Sequence, residues 1–255
     1  MEDSSEAFRR KTVLVTGGAG AIGSNLARAL SAFDVKRVFV LDNLSSSYEW
    51  NLPRDPKIQF LKGDILNEKD LAHAFRGHPQ IVYHLAAHFA NQSSVDYPEL
   101  DLQVNGLGVL KVLEHAKRDG VDRFVYASSG CGIYGADTPM PFTEDYVSMD
   151  LYTPYQVTKM LGELYTNMFQ NLYDLPVVNA RFFNSYGPGD AREVSECDPE
   201  FLLLGHAEKA TSHHRDRRRD PRLYLRWRHR ERPPRLRLHQ QGSGRSDQLG
   251  NRTGD

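Results

Sequence analysis

Cysteine is scarce in this chain: Cys131 and Cys197 are the only two among 255 residues. Two thiols cannot staple a domain, so the sequence predicts a hydrophobic core and a reducing compartment, the cytoplasm. No stretch approaches the ~18 consecutive apolar residues of a membrane-spanning helix, so no membrane attachment is expected. The opening M-E-D-S-S-E-A-F-R-R is acidic and has no apolar run, which argues against a secretory signal. His73, His78, His84, His88 and His115 show no metal-ligand spacing with acids or cysteines, and no metal is expected. Lysine is missing altogether from residues 211–255, which hold 13 Arg and 5 acids for a charge of +8, while residues 1–210 carry −9. The net charge of −1 averages two unlike parts.

Glycine, by contrast, is concentrated where it has a purpose. Val13-Leu14-Val15 reads as a buried strand, and Gly17, Gly18, Gly20 and Gly23 follow at once. A helix is predicted after them, through Ser24 to Leu30, with Ile22, Leu26 and Leu30 on one face. Glycines let the backbone turn sharply and approach a pyrophosphate, and the helix N-terminus offers free N–H groups. A second apolar run, Val38-Phe39-Val40-Leu41, leads to Asp42, whose carboxylate can bond the hydroxyls of an adenosine ribose and would repel a 2′-phosphate. The pattern points to NAD. A glycine-rich turn without a ligand is the plainer alternative.

Strand-like and helix-like segments alternate over the first 190 residues, which predicts an α/β fold, a Rossmann-type doubly wound parallel sheet. Strands are expected at 58–61, 81–87, 123–127 and 177–181, and helices at 68–75, 104–118 and 155–172. Leu107, Leu110 and Leu113 are spaced for one buried face of the second of those helices. Small residues after Ile81-Val82-Tyr83-His84 would leave room for a ligand above the sheet.

Tyr155 and Lys159 stand four apart, one above the other on a helix. An ammonium so placed favours phenolate, which suits Tyr155 to exchange a proton with a sugar hydroxyl during hydride transfer. Alone, Y-x-x-x-K also fits a solvated helix face; downstream of a dinucleotide fingerprint and a strand ending in serines it reads as catalytic.

Taken together, T-G-G-A-G-A-I-G-S, G-D-I, H-L-A-A, Y-A-S-S-G-C-G-I-Y-G, P-Y-Q-V-T-K and A-R-F-F-N-S-Y-G-P-G resemble the extended short-chain dehydrogenase/reductase family. Within it the likeness is to nucleotide-sugar epimerases and dehydratases of the UDP-glucose 4-epimerase type. The resemblance implies that Gly17, Gly20 and Gly23 turn around the NAD pyrophosphate, with Ala21 and Ile22 against it. Asp42 and Asn43 would hold the adenosine ribose, and Asp64 and Ile65 would flank the adenine. Leu85, Ala86 and Ala87 would line the nicotinamide side, and Lys159 would bind its ribose. Tyr155, Lys159 and Ser129 would be catalytic; Ser128, Ser129 and Asn184 would touch the nucleotide sugar, and Phe183 the cofactor. A homodimer through the helices at 104–118 and 155–172 is implied as well.

The chain departs from the family pattern at Gly130, where Ser or Thr is usual, so a hydroxyl must come from Ser129, Ser128 or a water. Cys131 could stand in, although a small structural cysteine is the simpler reading. Gln103 replaces an asparagine and keeps the amide. Sugar dehydratases of this kind carry Asp-Glu where this chain has Cys131 and Gly132, which favours 4-epimerisation of a UDP- or dTDP-hexose. A dehydratase or decarboxylase, and a catalytically silent NAD-binding protein, remain the alternatives.

After Gly189 the resemblance stops, and R-D-R-R-R-D-P-R-L-Y-L-R-W-R-H-R lacks apolar periodicity. A nucleic-acid-binding tail is one reading. Back-translation favours another: codons GAA TTT CTT CTA CTG GGC for Glu200 to Gly205, less one nucleotide, give N-F-F-Y-W. Continued through the rest of the chain, the same shift yields strings such as T-R-D-F-T-Y-V-G-D-I-V-N-G-L-L that look like the family's substrate domain. The expected organisation is a flexible lead-in at 1–10, an NAD-binding domain at 11–190, and an out-of-frame tail at 191–255 with no nucleic-acid role.

Overall fold

Strand β1 (Thr12–Thr16) lies at the middle of a six-stranded sheet and organises both of its faces. The computed structural model describes residues 6–89, 91–135, 141–183 and 185; Asn184, the side chain of Cys131 and the expected tail at 191–255 lie outside the described residues. The other strands are β2 (Arg37–Asp42), β3 (Ile58–Lys62), β4 (Ile81–His84), β5 (Arg123–Ser129) and β6 (Val177–Phe182). Their order is β3-β2-β1-β4-β5-β6, every neighbouring pair parallel, which is the doubly wound order with its switch point between β1 and β4.

Alternation along β1 assigns its side chains to two cores. Val13 and Val15 pack with Val38, Val40 and Ile81 under Ala27 and Leu30 of α1 (Ala21–Ser31). Leu14 faces the other way, with Leu41, Val82 and Phe124. There it meets Leu71 and Phe75 of α2 (Glu68–Phe75), Val112 and Leu113 of the fifth helix, and Phe169 of the seventh. Both faces are therefore covered, which is why these strands read as unbroken apolar runs.

The remaining helices are α3 (Asn91–Asp96), α4 (Pro98–Asp101), α5 (Gly108–Asp119), α6 (Gly130–Tyr134) and α7 (Pro154–Tyr173). A π-helical turn, Leu102–Leu107, joins α4 to α5. It explains one departure from the sequence reading. The wider π turn breaks the 3.6-residue register, so Leu107 is exposed while Val109, Val112, Leu113 and Ala116 form the buried face. In α1 the buried face runs through Gly23, Ala27 and Leu30, and Ile22 is 43% exposed. The fourth strand also stops at His84, three residues short of the expected end. Residues 6–10, expected as a loose lead-in, include a 3-10 turn whose Phe8 ring stacks on Phe33 at 5.3 Å. No helix among the described residues is long and apolar enough to cross a membrane.

Candidate active site

The glycine turn is compressed between α1 and the segment that follows β4. Gly17 has φ +69°, and a Cβ there would stand 2.5 Å from the Ala86 nitrogen. Gly23 seats the first turn of α1 directly on the backbone of Gly17 and Gly18. Gly20 occupies the N-cap with no side-chain hydrogen bond, so the first-turn amides lack a side-chain acceptor, which suits an anion. Ala21 is half-buried and Ile22 exposed beside it.

At the end of β2 the carboxylate of Asp42 is buried. Its Oδ2 accepts from the Ala19 amide at 2.9 Å, and its Oδ1 from the Leu44 amide at 2.9 Å and the Ser47 hydroxyl at 2.8 Å. Asp42 thus ties the glycine turn to its own loop, where Leu44 holds a left-handed φ of 61°. A carboxylate has about four lone-pair positions, so room for a ribose hydroxyl remains. Asn43 donates to Asp64 at 2.9 Å. The Ile65 side chain, by contrast, is buried in the core, and Gly108 of α5 leaves space for it.

The reactive end is built on α7. Pro154 opens the helix, and Thr153 and Gln156 form a reciprocal cap. The Tyr155 amide donates to Ser94 Oγ at 3.1 Å, fixing the helix start on α3. Tyr155 and Lys159 are both buried, with Lys159 Nζ 5.6 Å from the tyrosine ring centroid. Lys159 donates to the Ala127 carbonyl on β5 at 2.9 Å, and burial pulls its pKa down to about 8 while Asp101 opposes that shift. Ser129 caps α6, its Oγ accepting from Gly132 N at 3.3 Å, and a Cβ on Gly132 would lie 3.1 Å from Lys159 Cβ. Ser129 therefore belongs to the Lys159 corner. Ser128 turns elsewhere, donating to Glu163 at 2.5 Å.

Leu85, Ala86 and Ala87 leave β4 half-buried, with Ala86 N reaching Thr16 Oγ1 at 3.4 Å. His84 beneath them is fully enclosed, bonded to Thr16 Oγ1 at 2.7 Å, and desolvation pulls its pKa to about 3, so it is neutral. The Phe183 ring stacks on Tyr134 and Phe142, each at 5.9 Å, and stands 2.5 Å from where a Gly130 Cβ would be. A serine at 130 would have to push that ring aside.

Two polar clusters join residues far apart in the sequence. In the first, Asp101, Asn105, Thr158 and His88 join the segment after β4 to α7. In the second, Arg181 on β6 clasps Glu163 through two 2.9 Å bonds and reaches the Glu144 carbonyl at 2.8 Å, holding the 141–153 loop. The Glu163 hydrogen bond raises the Arg181 pKa further, so the guanidinium stays charged. Glu163→Ala leaves a partly buried guanidinium unpaired, with an expected loss of about 3 kcal/mol in denaturant titrations. Among the described residues no group of three His, Cys, Asp or Glu side chains is placed to hold a metal ion.

The family model for the NAD dependent epimerase/dehydratase family matches residues 13–216. The chain belongs to this family. It is 38% identical over 204 residues to the UDP-glucose 4-epimerase of Mycolicibacterium smegmatis, a match covering 77% of this chain and 64% of that protein. An epimerase structure from Methanothermobacter thermautotrophicus is 57% identical with a TM-score of 0.73, over 78% of this chain and 60% of that one. The Thermus thermophilus UDP-glucose 4-epimerase complex with NAD is 35% identical, TM-score 0.66, over 72% and 58%. The chain thus spans less than two thirds of these relatives. The open helix terminus, the backbone-to-backbone glycine turn and the Asp42 corner fit the dinucleotide in the family's name.

Proposed function

We propose that this chain carries the catalytic half of a nucleotide-sugar 4-epimerase that works with NAD on a UDP- or dTDP-hexose. The observation that carries the reading is the buried Tyr155–Lys159 pair, one helical turn apart beside the end of β5. Gly17, Gly20, Ala21, Ile22 and Gly23 would hold the pyrophosphate. Asp42, Asn43, Asp64 and the Ile65 main chain would hold the adenosine, and Leu85, Ala86, Ala87, Lys159 and Phe183 the nicotinamide end. NAD, when bound, supplies reversible hydride acceptance. Tyr155 takes the proton of the sugar 4-hydroxyl as that carbon is oxidised, and returns it to the same oxygen after the keto sugar has turned over. The ammonium of Lys159 favours the phenolate that this requires, and Ser129 steadies the oxygen in place of the hydroxyl absent at Gly130. Ser128, engaged by Glu163, and Asn184 would contact the sugar nucleotide from further out.

A panel of UDP- and dTDP-hexoses incubated with the protein tests the reading, with products separated by anion-exchange chromatography. One C4 epimer and no loss of water is the expected result. A deoxy-keto sugar would select the dehydratase alternative, and NAD binding without any product would select a silent binder, the reading that Gly130 favours.

The substrate half belongs, in the same proposal, to residues from about Asp190 onward read in a shifted frame. The family match runs in the given frame to residue 216, past the expected stop at Gly189, and so does not itself mark a break at Asp190. Resequencing the DNA around that codon decides it: an extra or missing nucleotide upholds the shift, and an unchanged sequence removes it. The protein is further read as a cytoplasmic homodimer without a nucleic-acid role. Val157, Leu164, Met168 and Leu172 form an exposed apolar stripe on α7, beside exposed Leu102 and Leu107. Leu164→Lys is expected to convert the dimer to monomer in light scattering, with the melting temperature little changed.

A further inference from the structure

Asp101 is the most deeply buried carboxylate in the described part of the molecule, at 0% exposure, and none of the roles above uses it. Its Oδ2 accepts from Thr158 Oγ1 at 2.6 Å, and its Oδ1 from Asn105 Nδ2 at 2.8 Å. Among the described residues its nearest cationic candidate is His88, whose Nδ1 lies 3.6 Å away and makes no hydrogen bond. A carboxylate buried in this way is costly unless some charge offsets it. The other buried cation of this region is Lys159, next to Thr158 on α7 and 4% exposed, whose hydrogen bond runs to the Ala127 carbonyl rather than to any acid.

We propose that Asp101 is a positioning residue that keeps the Lys159 ammonium charged in its buried site, and through Asn105 fastens the segment after β4 to the catalytic helix. The two charges never touch. Thr158 holds the carboxylate against α7 from the position next to Lys159, and Asn105 spans the gap to the loop. Its Nδ2 donates to the His88 carbonyl at 2.9 Å, and its Oδ1 accepts from the His88 amide at 2.8 Å. One side chain therefore sets both the electrostatics of Lys159 and the height of the loop that carries Leu85 to Ala87. The other groups facing Lys159 are Tyr155 on the same helix, Tyr126 on β5, with the lysine 5.3 Å from its ring centroid, and neutral His84 on β4. None of them supplies a negative charge while the phenols are protonated. Burial and the opposing influence of Asp101 on the Lys159 pKa agree with this arrangement.

The inference rests on the Tyr155–Lys159 site described above, but its test needs no turnover. The full chain is labelled at the lysine ε-carbon, and Lys159 is followed by NMR across pH, its signal identified by its loss in Lys159→Met. Asp101→Asn keeps the shape and removes the charge; the Lys159 midpoint is expected to fall by about one unit. Thr158→Val, which retains the carboxylate, is expected to move it much less. An unchanged midpoint in folded Asp101→Asn overturns the proposal. Should Asp101→Asn fail to fold, the double variant with Lys159→Met is expected to fold again, because no unpaired ammonium is then buried. A double variant as unfolded as the single one also overturns it. Absence of epimerisation in every form, with the midpoint shift present, would sink the enzymatic reading and leave this one standing.

Discussion

Tyr155→Phe is expected to cut 4-epimerisation by about a thousandfold, within the usual range for removing a positioned proton-transfer group, while NAD affinity stays within a few-fold of the parent. The asymmetry follows from position. Tyr155 sits at the start of α7, held by the Ser94 hydroxyl through its amide and by the edge of Phe89 at 6.1 Å through its ring. Phenylalanine keeps both contacts and loses only the hydroxyl. With no phenol left to tune, the residual rate should also lose the part of its pH dependence that the phenolate imposes. The measurement is single-turnover epimerisation beside a fluorescence titration with NAD. A variant that kept a tenth of the parent rate would show that the proton goes to some other group, and Ser129 would be the first to examine.

Gly17→Ala is expected to lose both NAD binding and more than about 2 kcal/mol of stability. Gly120→Ala serves as the control. Both glycines adopt left-handed backbone, φ +69° at Gly17 and +65° at Gly120, so both substitutions incur the cost of that conformation, about 1–2 kcal/mol. They differ in what surrounds them. A Cβ on Gly120 meets nothing within 4 Å, whereas one on Gly17 meets Ala86 N at 2.5 Å and Ala86 Cα at 2.7 Å. Those are backbone atoms of the strand-end segment, which cannot yield without lifting the loop from the turn. Thermal melts should separate the two variants clearly, and NAD titration should separate them completely. Equal destabilisation would mean that the turn and the loop are not in contact in solution.

Most of the sheet could be read in the sequence because both its faces are covered. Val13-Leu14-Val15, Val38 to Leu41 and Phe124 to Ala127 are continuous apolar runs, and parallel order follows from the helices between them. Helix faces were harder. Ile22 belongs to the apolar period of α1, yet glycine at 23 lets the helix approach the turn so closely that the buried side shifts away from it. Leu107 failed for a different reason, the π turn just before α5. The Tyr155–Lys159 pair was legible because four-residue spacing on a helix is itself a geometric statement. Asp101 and Asn105 have the same four-residue spacing, but their link to His88 and Thr158 was not legible, since those residues lie on separate segments that only the folded chain brings together. The same holds for Arg181 and Glu163, and for the hydrogen bond that Ser128 donates to Glu163.

The central position of β1 also governs how the protein can be made. Thr16 meets its partner His84 across a sequence separation of 68, so the first strand to leave the ribosome waits for the fourth. At ordinary translation rates that delay is on the order of ten seconds. Throughout it, the valines of β1 that will face α1 can be satisfied by β2, while Leu14 gains only α2 as cover before β4, α5 and α7 emerge. A nascent chain in that condition is a natural client for a ribosome-associated chaperone. Production at low temperature, or with such a chaperone in excess, should improve the yield of folded protein more than any change of purification buffer.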